Sequence, residues 1–319
     1  MTTLAPAPQP VPAPDPAQPS SGTGASSRAG WTLLTAIAPA TWGTTYIVTT
    51  QFLPEGHPLF AALMRTLPAG LIAIAIARTL PRGDWWWKSL VLGTLNMAAF
   101  FPLLFISAQH LPGGVAATLG AIQPMLIALL AVGVLHEKLS IWRLSWGAAG
   151  AFGVALVVLG PTARLDAVGI AAGLGGAVSM GLGVILTKKW GLPEGASPVA
   201  LAGWQLTAAG LVLLVPALAV DGIPTIDAPA VIGYLWLGVM GALVTYSLWF
   251  AGIGRLPVTA TALLGLLAPL VAALLGVTIA GETLTLIQII GFAIALTAMV
   301  AGQLSPRDRR GARPRRTAQ

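Results

Sequence analysis

Between residues 31 and 303, apolar residues run in blocks of about 20, separated by short turns that hold the Asp and Glu and several Pro and Gly. A membrane helix needs about 20 predominantly apolar residues to cross the hydrocarbon core. The pattern predicts ten such helices, at 31–50, 58–78, 89–109, 112–135, 142–160, 167–188, 197–220, 229–252, 257–280 and 285–303. Outside these limits the pattern stops. Residues 1–30 form a Pro/Ala/Ser-rich tail, without the apolar side chains that would offset the entropy of ordering, and are expected to be disordered. No basic stretch precedes an apolar core there, so the tail does not read as a signal peptide. Residues 304–319 form a second, basic tail.

Composition agrees with a bilayer. Hydrophobic residues make up 56% of the chain and charged residues 8%, against roughly 25% charged in soluble proteins. Cysteine is absent, which removes disulfide and thiolate-metal chemistry. The net charge of +7 is unevenly placed. With a cytosolic N-terminus, ten spans put Arg28, Arg78, Arg82, Lys88, Lys138, Arg143, Lys188, Lys189, Arg255 and the arginines from Arg307 to Arg316 on the cytosolic side. Only Arg164 falls outside, and Arg65 lies within a span. This is the positive-inside asymmetry, and it predicts a multi-pass plasma-membrane protein with both termini cytosolic. The basic C-terminal tail then reads as a topology signal beside anionic lipid, not as a nucleic-acid arm. Trp85, Trp86 and Trp87, followed by Lys88, read as an interfacial anchor.

The tetrad Leu-Pro-Glu-Gly occurs at 53–56 and again at 192–195. It belongs to a longer duplication. Residues 111–139 align with 256–284 without a gap, matching Pro112 with Pro257, Gly120 with Gly265, Pro124 with Pro269 and Glu137 with Glu282. Residues 58–71 align with 198–211, which sets Arg65 opposite Gln205. The chain therefore divides into repeats at 31–160 and 166–303. Five helices per repeat is an odd number, so the second copy is expected to insert upside down. Inverted repeats are a common transporter architecture, with the substrate site near the midplane between them. The expected fold is an all-α integral membrane protein of two inverted five-helix repeats.

The residues that match across the repeats, together with Trp42-Gly43 and the glycines of the fifth and tenth helices (Gly147, Gly150, Gly153, Gly291), resemble the drug/metabolite transporter superfamily and specifically its EamA-type exporters. The resemblance covers nearly all of 31–303. It implies alternating-access export of a small metabolite, such as an amino acid or a derivative. It also implies a cavity lined by helices one, three, four, six, eight and nine.

Several polar and aromatic residues fall on those helices. Trp42 and Tyr46 continue a stripe that begins at Thr35; Asn96 and Phe100 are expected to share a face of helix three; Gln123 precedes Pro124; Tyr246 and Trp249 share a face of helix eight. These, with Arg65 and Gln205, are the substrate-cavity candidates. Each also has a bland reading as interhelical packing. Arg65 is the one charged residue well inside a span, and intramembrane charges are functional candidates by default. It reads either as a clamp for a substrate carboxylate or gate, or as a structural arginine bonding carbonyls or snorkelling to headgroups. Pro124 and Pro269 interrupt backbone bonding at matched positions and are candidate helix breaks. Glu137 and Glu282 end equivalent helices, where they either carry protons or bond turn backbones. Gly169, Gly173, Ala177 and Gly181 form a small-residue ridge suited to close helix packing.

No span holds an Asp or Glu near its middle, so any ion coupling must use other groups. An intramembrane enzyme and a membrane sensor are the rival classes. His136-Glu137 opens a zinc-binding H-E-x-x-H pattern, but Ser140 stands where the second histidine belongs. No phosphate-binding loop of an ATPase is present. The sequence implies no cofactor, no metal and no enzymatic activity. Its expected partners are a small-molecule substrate and the bilayer.

Overall fold

The structure is a computed structural model that describes residues 23–110, 119–158, 166–280 and 285–304. Among these residues the protein is all helical, with no strand. Seven stretches are long and apolar enough to cross a membrane: Pro58–Ala77, Trp85–Leu104, Ala167–Trp190, Pro198–Asp221, Ala228–Arg255, Val258–Ile279 and Leu286–Gln303. Ile141–Val158 is a further helix, and Leu119–Leu135 is a shorter apolar one. Large side chains such as Leu33, Ile76, Val215 and Ile287 face outward, as a lipid-solvated exterior requires.

The first helix departs from expectation at both ends. It runs Thr23–Gly43, so residues 23–30 are helical, not part of a disordered tail. The last tail proline is Pro19, and the Ala, Ser and Arg residues that follow tolerate helix. Thr44 then breaks the expected span, and a second helix, Thr45–Phe52, follows. The Thr44 hydroxyl and amide both bond to the Thr41 carbonyl. Three stretches are π-helical: Thr94–Ala98, Ala217–Asp221 and Trp236–Val244.

Helix starts follow local chemistry. Asp166, Ser197 and Asp227 each accept a hydrogen bond from the amide three residues on, and Thr285 forms a capping box with Gln288. The Gly169 amide, aided by nearby His110, holds the Asp166 carboxyl below its usual range. Pro58–Ala77 lacks a cap of its own, and its cap comes from afar. Asp221 Oδ2 accepts from the amides of Leu59 and Phe60 at 2.6 and 2.9 Å, while His57 Nδ1 lies 2.8 Å from the Asp221 carbonyl. At the other end of the same helix, Trp204 Nε1 donates to Thr79 O. Both Leu-Pro-Glu-Gly turns place their glycine at positive φ, +78° at Gly56 and +74° at Gly195.

Two helix pairs join residues far apart in sequence. Pro58–Ala77 crosses Pro198–Pro216, with Gly70 against Thr207, Gly210 against Leu67 and Gly203 against Ala73. Ile141–Val158 lies along Leu286–Gln303, with Gly153 against Ala295 and Gly150 against Ala298. In lipid there is no hydrophobic drive between helices, so such contacts rest on close van der Waals packing, which small residues permit.

A Cβ at Gly70 would overlap the Thr207 backbone, which cannot move aside. Gly70→Val is therefore expected to destabilise by about 1–3 kcal/mol or more. Gly133 has nothing within 4 Å of the same position, so Gly133→Ala should hold or raise stability. Thermal unfolding of the purified variants in detergent checks both.

Candidate functional site

The polar interior is built around the carbonyl of Gly241, in the π-helical Trp236–Val244 stretch. Arg65 Nη2 donates to it at 2.8 Å, and Trp42 Nε1 at 3.1 Å. Trp42 Nε1 also lies 3.0 Å from Thr245 Oγ1. One backbone oxygen thus joins three elements: the end of Thr23–Gly43, the middle of Pro58–Ala77, and the π stretch. Arg65 is 8% exposed, and its guanidinium carbon lies 4.9 Å from the centre of the Phe101 ring. A cavity of about 10 Å³ sits beside it, lined by Thr45, Thr49, Ala61, Ala62, Arg65, Phe101 and Leu237. That is room for about one water molecule.

Aromatic rings close one side. Trp42 lies 5.2 Å from both Tyr246 and Trp249, and Tyr246 lies 5.7 Å from Phe250. These separations suit tilted and edge-on aromatic contacts. Tyr246 and Trp249 are buried.

A second polar cluster joins Thr94–Ala98, Ala167–Trp190 and Pro198–Pro216, the last of which belongs to the crossing pair. Asn96 Nδ2 donates to Gln205 Oε1 at 2.8 Å and approaches Thr187 Oγ1 at 3.4 Å. Thr187 donates in turn to Gly183 O. Asn96 belongs to the π-helical Thr94–Ala98 stretch, and Gln205 is fully buried.

The structure brings Trp42, Arg65, Tyr246 and Trp249 into one cluster, and Asn96 and Gln205 into the other. Phe100 is partly buried and turns toward Gly176, while Phe101 takes the place over Arg65. A π turn repeats every five residues in place of four, which shifts the face presented after Asn96 by one position. Gln123 is partly buried at the start of Gln123–Leu135. Pro124 sits in the first turn of that helix, just after a break at Ile122. Pro269 likewise follows a break at Gly265–Leu266 and lies near the start of Leu267–Ala280. A proline in a first turn removes no needed hydrogen bond, so the matched prolines mark matched helix restarts. Glu137 ends its helix, with its amide bonded to Ala131 O. The Tyr46 side chain and Glu282 lie outside what the structure describes.

Gly241 has no side chain to advertise its role, and only its place opposite Asn96 in the repeat could have indicated it. Lys188, at the far end of Ala167–Trp190, was read as a topology charge alone. Its Nζ donates to the carbonyls of Ile253 and Leu256, closing the C-terminus of Thr245–Arg255. Among the described residues no group of three or more His, Cys, Asp or Glu could hold a metal ion.

Residues 29–159 and 167–301 each match the EamA-like transporter family. Protein PecM of Dickeya dadantii is 40% identical over 267 residues, spanning 83% of this chain and 90% of PecM. A protein of Salmonella typhimurium named a probable amino-acid metabolite efflux pump is 26% identical, over 85% of this chain and 94% of its own. A solved crystal structure shares the fold with a TM-score of 0.75 at 19% identity, covering 90% of this chain and 100% of that one.

In the second cluster, Asn96→Ala leaves the buried Gln205 side chain without its partner, at an expected cost of about 1–3 kcal/mol. Asn96→Ala combined with Gln205→Leu should recover part of that loss. A double-mutant cycle on thermal stability measures the coupling, which independent sites would bring to zero.

Proposed function

Because this chain belongs to the EamA-like transporter family and is a multi-pass membrane transporter, not an enzyme, we propose that it exports a small metabolite across the cell membrane by alternating access between two inverted repeats. The repeats are 31–160 and 166–303, with five spans each and both termini cytosolic. The substrate is an amino acid or a derivative, in keeping with the efflux pump named among its relatives. The cavity lies between the Gly241 cluster and the Asn96–Gln205 cluster.

One observation carries this reading. The long-range contacts recur when the two halves exchange places. Adding 140 to the second-helix numbers turns Gly70 into Gly210 and Leu67 into Thr207, and both Gly70–Thr207 and Gly210–Leu67 are in contact. Adding 145 turns Gly150 into Ala295 and Gly153 into Ala298, and both Gly150–Ala298 and Gly153–Ala295 are in contact. Such reciprocity is expected of a pseudo-two-fold axis. Two halves with matching contacts can exchange conformations, opening the site to each side in turn.

Reconstituted into liposomes, the protein should give saturable flux of a labelled amino acid or derivative. Absence of flux for a broad panel, from folded protein, would remove the export reading. The cysteine-free chain permits a clean topology test. A cysteine placed by Glu55→Cys should react with an impermeant maleimide on intact cells, and one placed by Gly83→Cys only after permeabilisation. The reverse pattern would overturn the orientation.

A further inference from the structure

The duplication supplies an internal control for Arg65. The alignment that sets Arg65 opposite Gln205, continued with the 145-residue offset of the following helices, sets Gly241 opposite Asn96. Both positions fall in π-helical stretches. In one half the two side chains pair with each other: Asn96 Nδ2 donates to Gln205 Oε1, while Asn96 Oδ1 and Gln205 Nε2 are left without partners. In the other half a guanidinium replaces the amide, and the partner position has no side chain at all. Arg65 reaches only the Gly241 backbone, which it shares with Trp42.

The guanidinium is left with donors to spare. It carries five N–H groups and no acceptor. Its Nε is buried with no hydrogen-bond partner. The Trp249 indole N–H, in the adjoining aromatic cluster, is also buried and unpartnered. The hydroxyl-bearing Thr45 and Thr49 line the cavity beside Arg65. None of the described acidic residues forms an ion pair with Arg65; Asp84 pairs with Lys88 and Asp166 with His110, both at helix ends. A buried cation is costly unless it is paired. This side of the protein holds a charge and unused donors, and lacks an anionic acceptor.

We propose that the missing acceptor is the substrate's own carboxylate, and that Arg65 is the residue that binds it. The proposal rests on the transport reading and narrows it. A planar guanidinium matches a carboxylate through paired N–H donors. The Phe101 ring against it and the adjoining rings of Trp42, Tyr246 and Trp249 favour a carboxylate borne on an aromatic or otherwise planar body. The one-water cavity holds a single oxygen, so the rest of the molecule enters as the halves part.

The test compares an acid with its primary amide, using 3-phenylpropionate and 3-phenylpropionamide, then indole-3-propionate and its amide. The readouts are the thermal unfolding midpoint of purified protein and flux in proteoliposomes. The wild type should respond to the acids at concentrations about tenfold to a hundredfold lower than to the amides, the range set by a charged against a neutral hydrogen bond. Arg65→Gln should bring acid and amide together, while Arg65→Lys keeps the preference with weaker binding. Gly241→Asn is a variant that should fold, since an added Cβ meets nothing closer than 3.7 Å. It supplies the side-chain acceptor that the other half has in Asn96, and should weaken acid binding about tenfold or more, bringing the acids toward the amides.

Equal response to acid and amide in the wild type, or an acid preference that survives Arg65→Gln or Gly241→Asn, would overturn the proposal. The amides judge the transport reading separately. Saturable amide flux without acid preference would sustain transport and end the carboxylate assignment.

Discussion

The crossing of Pro58–Ala77 and Pro198–Pro216 governs where everything else can lie. Burial in water-soluble proteins is driven by removing apolar surface from water, but lipid tails are as apolar as leucine, so that drive is absent between membrane helices. What remains is contact distance. Gly70, Gly203 and Gly210 bring the two backbones to a separation at which a single Cβ would collide with the opposite chain. That approach sets the depth of Arg65 and Gln205, which lie on the same two helices. It also brings the Asp221 carboxylate, at the far end of one partner, onto the first amides of the other.

The π-helical stretches turn this scaffold into a site. A π turn is wider than an α turn and is found often where helices serve function. In Thr94–Ala98 it presents Asn96 to Gln205 and brings Phe101 over Arg65. In Trp236–Val244 it offers the Gly241 carbonyl to donors from two other helices. The hydrogen bonds from Arg65, Trp42 and Asn96 join residues of the first half to residues of the second at these two π-helical stretches.

Much of this was legible in the sequence. Apolar blocks in a charge-poor chain marked membrane helices, and the duplicated segments marked equivalent positions, whose packing against each other was not read. Arg65 stood out because charge inside an apolar block is rare. The rest was hidden for physical reasons. Periodicity does not distinguish an α turn from a π turn over five residues, so the shift from Phe100 to Phe101 could not be read. A backbone acceptor such as Gly241 O leaves no mark in residue type. The break at Thr44 depends on Thr41 and on the neighbouring Leu267–Ala280 helix, against which Gly43 packs. The helical start at Thr23 lay in a segment whose composition resembled the tail before it.

The two clusters also constrain the energetics of any exchange between halves. Under the alternating access proposed above, matching glycine contacts would make the two arrangements close in packing energy. Arg65 and Gln205 break that equivalence. A Gln205–Asn96 pair is neutral and bonded side chain to side chain, whereas Arg65 keeps a charge that one backbone oxygen and one aromatic ring offset only in part. On that proposal the empty protein would not be balanced between its two states, and the imbalance would be electrostatic. A ligand shifts such an equilibrium only by its differential affinity for the two states. A ligand anion at Arg65 would remove the term that makes the halves unequal. On the same proposal the glycines would permit the exchange, and the unpaired Arg65 charge would give the ligand a means to control it.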